Sequence, residues 1–79
     1  MATAFALSNI LPGKGEKVVD VLRKMKHVRE VHLPDGAYDA IVKLEAEDIR
    51  TLKEAIIWDI RRVEEVTSTI TLIVADSKV

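Results

Sequence analysis

The sequence predicts an α+β sandwich of the ferredoxin-like type, βαββαβ, with two helices on one face of a four-stranded antiparallel sheet. Three observations predict it. Strand-like alternation and helix-like spacing follow one another in the order strand–helix–strand, twice over, within 79 residues. A turn signal, Pro34-Asp35-Gly36, separates the two middle strands, because glycine supplies a positive φ at little steric cost. Both faces of the strands carry apolar residues, while two short helices cover only one, so the sheet is expected to dimerise through its other face.

Residues 3–11, TAFALSNIL, read as a strand stopped by Pro12 and Gly13; Phe5 and Leu7 oppose Ala4, Ala6 and Ile10. Val18, Val21, Leu22 and Met25 recur at helical spacing, predicting an amphipathic helix over 15–26. Residues 28–33 read as the second strand, with Val31 and Leu33 on one face and Glu30 and His32 on the other. The third runs over 38–45 and pairs with the second as a hairpin, with Tyr38, Val42 and Leu44 opposing Ile41. Asp48 is placed to cap a second helix running to about Arg62, whose apolar stripe is Ile49, Leu52, Ile56, Ile60 and Val63. Residues 66–75, VTSTITLIVA, are β-branched and alternating, a fourth strand in which Ile70, Leu72 and Val74 oppose Ile73 and Ala75; the final DSKV is expected to fray.

Composition bounds the function. Residues 1–79 make one domain whose own core is marginal at this length, and association is a natural remedy. A charged fraction of 32% beside 48% hydrophobic residues suits a folded soluble chain. A net charge of −1 gives no general attraction for nucleic acid or an anionic membrane. The absence of cysteine excludes disulfides, thiolate nucleophiles and cysteine metal sites. With no apolar run near the ~18 residues of a membrane span and no basic leader, the expected location is cytoplasmic.

Most candidate chemical motifs fail on spacing. PGKGEK lacks the G-x-x-x-x-G-K-[ST] pattern of a phosphate loop. His27 and His32 stand five apart across a helix–strand junction, a poor metal pair, so no metal or cofactor is expected. No nucleophile stands in a G-x-S-x-G elbow, and one Phe, one Tyr and one Trp are too few for an RNA-stacking sheet. Arg61-Arg62 and Lys24/Lys26 read as solvated basic spots. Trp58 falls opposite the apolar stripe of the second helix, beside Glu54, Arg61 and Arg62; it either lies under the arginine stems or meets a second subunit.

Two stretches remain: Gly36, Ala37, Tyr38 and Asp39 at the hairpin, and Thr67, Ser68 and Thr69 at the start of the last strand. A glycine turn exposes N–H groups, a hydroxyl run offers adjustable donors and acceptors, and Asp39 offers a carboxylate. Together they suit a zwitterion, with Tyr38 as a wall. The plainer reading has Asp39 bracing its turn and the threonines serving strand propensity.

Residues 11–74 resemble the C-terminal effector domain of the Lrp/AsnC regulators, the RAM domain. The resemblance rests on the Pro-Gly loop, a helix ending before Val28-Arg29-Glu30-Val31, G-x-Y-D at 36–39, a second amphipathic helix and V-x-S-T-x-T at 66–71. It implies a ferredoxin-like fold that dimerises through its sheets, dimers that assemble into rings, and small amino-acid effectors bound where dimers meet. The effector pocket would hold Gly36, Ala37, Tyr38, Asp39, Thr67, Ser68 and Thr69. The family's regulators carry an N-terminal helix-turn-helix domain, whereas this sequence starts at the first strand. It is therefore expected to be a stand-alone, non-enzymatic module that does not bind DNA itself, with full-length regulators as a further partner class. Glu65 stands where the family has a glycine.

Two rivals use the same fold. A dimeric α+β barrel enzyme of the monooxygenase or isomerase kind would gather His32, Tyr38 or Trp58 in a cavity within one subunit. An ACT-type regulatory domain would bind ligand through the loop over 9–15 and tolerate Asp39→Ala.

Overall fold

The computed structural model describes residues 1–74; the fraying expected of DSKV and the strand position of Ala75 lie outside the described residues. The chain runs β1 (Ala2–Ile10), α1 (Gly15–Arg23), β2 (Val28–His32), β3 (Ala40–Ala46), α2 (Ile49–Ala55) leading into a π-helical turn (Ile56–Ile60), and β4 (Val66–Val74). The strands form one antiparallel sheet in the order β2-β3-β1-β4, as the predicted fold requires.

Alternation along the strands sorts the side chains. Ala2, Ala4, Ala6, Ser8 and Ile10 of β1 are buried, as are Ala40, Val42, Leu44 and Ala46 of β3. The helices cover this face with Val18, Val19 and Leu22 of α1, Leu52 and Ala55 of α2, and Ile56 and Ile60 of the π-helical turn. Alanines at the sheet centre leave the volume that the larger helix side chains fill. Asp48 caps α2 as expected: its Oδ1 accepts the Thr51 backbone N–H at 2.7 Å. That hydrogen bond holds the Asp48 carboxyl below the usual carboxylate range. No helix of the described residues is long and apolar enough to cross a membrane.

Several local expectations are corrected. Helix α1 stops at Arg23, because Lys24 and Met25 donate to carbonyls three residues back and tighten the chain toward β2. Val19 is buried and Val21 exposed, since the Val18–Leu22 axis sets the inward direction. Ile49, at the mouth of α2, is also exposed. Strand β3 begins at Ala40, so Tyr38 belongs to the loop and not to the face of Val42 and Leu44. Leu33 lies just beyond β2 and is exposed, parting from Val31.

Among the described residues, no helix lies over the second sheet face. Cross-strand partners share a face, which gives one row of His32, Ile41, Leu7 and Ile70 and another of Glu30, Lys43, Phe5 and Leu72. Ile70, Leu72 and Val74 remain about half exposed. The β1/β4 side of this face is apolar, and the β2 edge is charged.

Candidate functional site

Both stretches singled out in the sequence reach the C-terminal end of β1, from opposite sides. Asp39 lies just before β3. Its backbone N–H donates to the Ser8 carbonyl at 2.9 Å, and its Oδ2 accepts the Ile10 N–H at 2.7 Å. The carboxylate thus braces the end of β1, a neighbouring strand, rather than its own turn. Gly36, at φ 155°, adopts a backbone conformation that side chains disfavour. A Cβ there meets nothing within 4 Å, so conformation rather than space calls for glycine. Ala37 is exposed and Tyr38 half-buried on the approach to Asp39.

From the β4 side, Asn9 pairs with Ser68 and Ile10 with Val66, so Thr67 is the extra residue of a bulge. The Ser8 and Thr69 hydroxyls lie 3.2 Å apart, Asn9 Nδ2 donates to Ser68 Oγ at 2.9 Å, and Thr67 Oγ1 donates to the Asn9 carbonyl at 3.4 Å. Ser8, Asn9 and Ile10 are therefore the hub that sequence reasoning missed. One signal was available: Ser8 is the single polar residue where β1 otherwise presents Ala and Ile to the core, and it is fully buried.

Within one chain the two stretches do not share one pocket. Strand β1 stands between the two stretches, so their backbones lie two strand spacings, roughly 9–10 Å, apart. Each lines its own cleft. Asp39 and Leu33 face the loop after β1, with Leu11, Pro12 and Gly13, around about 230 Å³. Thr67, Ser68 and Thr69 line another of about 260 Å³ with Val66 and Arg61. The first cleft removes a discriminator: Asp39 borders the very loop an ACT-type site would use, so Asp39→Ala cannot separate the two readings.

Glu65 closes the turn before β4 without a positive φ; among the described residues only Gly13 and Gly36 have one. Its carbonyl accepts the Leu11 N–H at 2.9 Å, and its carboxylate accepts Lys17 Nζ at 2.7 Å. The Lys17 hydrogen bond lowers the Glu65 carboxyl, and the Glu65 hydrogen bond raises the Lys17 ammonium.

The remaining candidates are dispersed. His32 Nε2 meets Glu30 Oε1 at 2.8 Å on the uncovered sheet face, with Lys43 Nζ 3.5 Å from the other Glu30 oxygen. His32 first, then Lys43, hold the Glu30 carboxyl low. Trp58, 61% exposed, shares an outer cleft with His27, Thr51 and Glu54. Arg61 belongs instead to the Thr67–Thr69 cleft, although helical spacing put it with Trp58. Neither His32 nor Tyr38 lines the Trp58 cleft, so the three residues of the enzyme reading do not gather in one cavity.

The family model for the Lrp/AsnC ligand binding domain matches residues 3–79. The chain is 36% identical to FFRP-DM1, covering 94% of this chain and 99% of that one, with a TM-score of 0.89. It is 35% identical to the hypothetical protein PHS023 from Pyrococcus horikoshii, covering 99% and 94%, with a TM-score of 0.92. The transcriptional regulator NMB0573 of Neisseria meningitidis, solved as an L-Met complex, shares the fold at a TM-score of 0.83. Its identity is 14%, over 99% of this chain and 52% of that one. A search of curated proteins returned no match.

Proposed function

Because the chain belongs to the Lrp/AsnC ligand-binding-domain family, we propose that it binds a free amino acid at the C-terminal end of β1 and acts through its state of assembly. The observation that carries this reading is the convergence of Asp39 and of Thr67, Ser68 and Thr69 on Ser8, Asn9 and Ile10. An amino acid's ammonium and carboxylate lie within about 4 Å of each other. One molecule therefore does not span the roughly 9–10 Å between the two stretches of a single chain. A site in which one copy contributes Asp39 and another contributes Thr67, Ser68 and Thr69 removes that difficulty. It also links occupancy to assembly: ligand that binds between copies favours the assembled state. Gly36, Ala37 and Tyr38 would border the same site. The uncovered apolar rows of the sheet supply a surface for the primary dimer.

The module would influence transcription through partner regulators of its family rather than by contacting DNA. Its net charge of −1 supports this, since phosphate contacts need a basic surface. The dispersal of His32, Tyr38 and Trp58 weighs against the enzyme reading.

Light scattering with and without each of the twenty common amino acids, alongside thermal shift, tests the proposal. The expected result is a change of mass and a raised melting temperature with a subset of them. Asp39→Asn keeps an oxygen acceptor for the Ile10 N–H while removing the charge, and it is expected to abolish the response without unfolding the chain. A constant mass and no thermal shift with any amino acid would overturn the reading.

A further inference from the structure

We propose that Arg61 is the anion anchor of the effector site, and that its cleft with Thr67, Ser68 and Thr69 reads the α-carboxylate of the bound amino acid. The inference rests on the functional reading above and names the residue that selects the ligand's charged group.

Arg61 is the residue whose N–H closes the π-helical turn on the Ile56 carbonyl, at 3.1 Å. A π turn holds one more residue than an α turn, so it rotates the residues after it around the helix axis. Arg61 lines the β4 cleft rather than the Trp58 cleft. Among the described residues, the ion pairs include Lys17–Glu65, Arg29–Glu45, His32–Glu30, Lys43–Glu30 and Arg50–Glu54, and Arg61 takes part in none of these. The nearby Glu65 carboxylate is held by Lys17 at 2.7 Å.

The rest of the cleft is suited to donate. Ser68 Oγ accepts from Asn9 Nδ2, which leaves its own hydrogen free to point elsewhere. Strand β4 is an edge of the sheet, so alternate backbone N–H groups face away from β1. Among the described residues, no carboxylate lines the cleft. A guanidinium beside hydroxyl and amide donors matches a planar carboxylate, which arginine grips through two parallel hydrogen bonds.

The test is isothermal titration calorimetry of the full chain against the twenty common amino acids. The tightest binder is then compared with its α-carboxamide. Wild type is expected to bind the carboxamide about 10–100-fold more weakly than the acid, and Arg61→Gln to bind the acid weaker by a similar factor. In Arg61→Gln the preference for acid over carboxamide is expected to shrink toward unity, with an unchanged melting temperature in the absence of ligand. Arg61→Lys, which keeps charge but not the fork, is expected to fall between. Equal binding of the acid by wild type and Arg61→Gln would overturn the anchor and leave the functional reading standing. Equal binding of acid and carboxamide by wild type would do the same. No binding of any amino acid to wild type would overturn both.

Discussion

The two faces of β1 use opposite side-chain sizes. Under the helices, β1 presents Ala2, Ala4, Ala6 and Ser8, all buried; on the other side it presents Phe5 and Leu7, which pair across the sheet with Leu72 and Ile70. The small residues leave room for Leu22, Leu52 and Ile60 to interdigitate, so that face is complete within one chain. The large residues stand where no helix of the described residues packs on them. The contrast teaches that burial on the first face specifies the fold, while the second face keeps large apolar side chains half exposed.

That contrast is most directly broken from the core side. Leu22→Ala removes a fully buried side chain and is expected to cost about 2–5 kcal/mol, lowering the melting temperature by more than 10 °C in thermal denaturation. Leu72→Lys makes the opposite test, since Leu72 is 53% exposed within the chain. It is expected to weaken self-association about 10–100-fold in a sedimentation dilution series while the monomer's far-ultraviolet circular dichroism stays unchanged. An unaltered dissociation constant would remove the uncovered face from the assembly.

The caps and ion pairs at the ends of the elements have smaller effects, and pH separates them. Asp48, Glu30 and Glu65 all have lowered carboxyl values in the folded chain. Near and below pH 4.5 the unfolded chain therefore binds more protons than the folded one. The stability these groups contribute is present above that range and is lost as pH falls through the folded values. Asp48→Ala is expected to lower the melting temperature by about 4–8 °C at pH 7. Asp48→Asn, which still caps, is expected to lower it less and to flatten the acid limb of a melting-temperature–pH profile. Lys17 behaves in the reverse sense: its raised value gives stability that is full below pH 10.5 and lost as pH rises through the folded value. Glu65→Gly restores the family's residue but removes the Lys17 partner, whose ammonium is well exposed. It is expected to move the melting temperature by no more than about 2 °C, because the Lys17 end of the pair is open to solvent and its charge is screened there.

Much of the fold was legible because it arises from local pattern. The Asp48 cap, the alternation of β1 and β4 and the spacing of Leu52, Ile56 and Ile60 each express a short-range rule. The site was legible by residue type only. Tyr38 was assigned to β3 because alternation continues smoothly from it to Val42, yet the ladder starts at Ala40, where pairing with Ser8 begins. Arg61 reads as a solvated cation because Glu and Asp stand near it in sequence, and a π turn within α2's path does not announce itself in composition.

The sequence alone determined the order of elements, the two-faced strands and the charge balance, since those depend on neighbours within a few residues. Tertiary structure alone decided that Asp39 and Thr67, Ser68 and Thr69 flank the same three residues of β1 and are separated by them. It also assigned Arg61 to the β4 cleft. The physical reason is that strand order is a long-range pairing choice. Residues 29 and 59 positions away from the end of β1 meet it only because the sheet sets β3 on one side and β4 on the other.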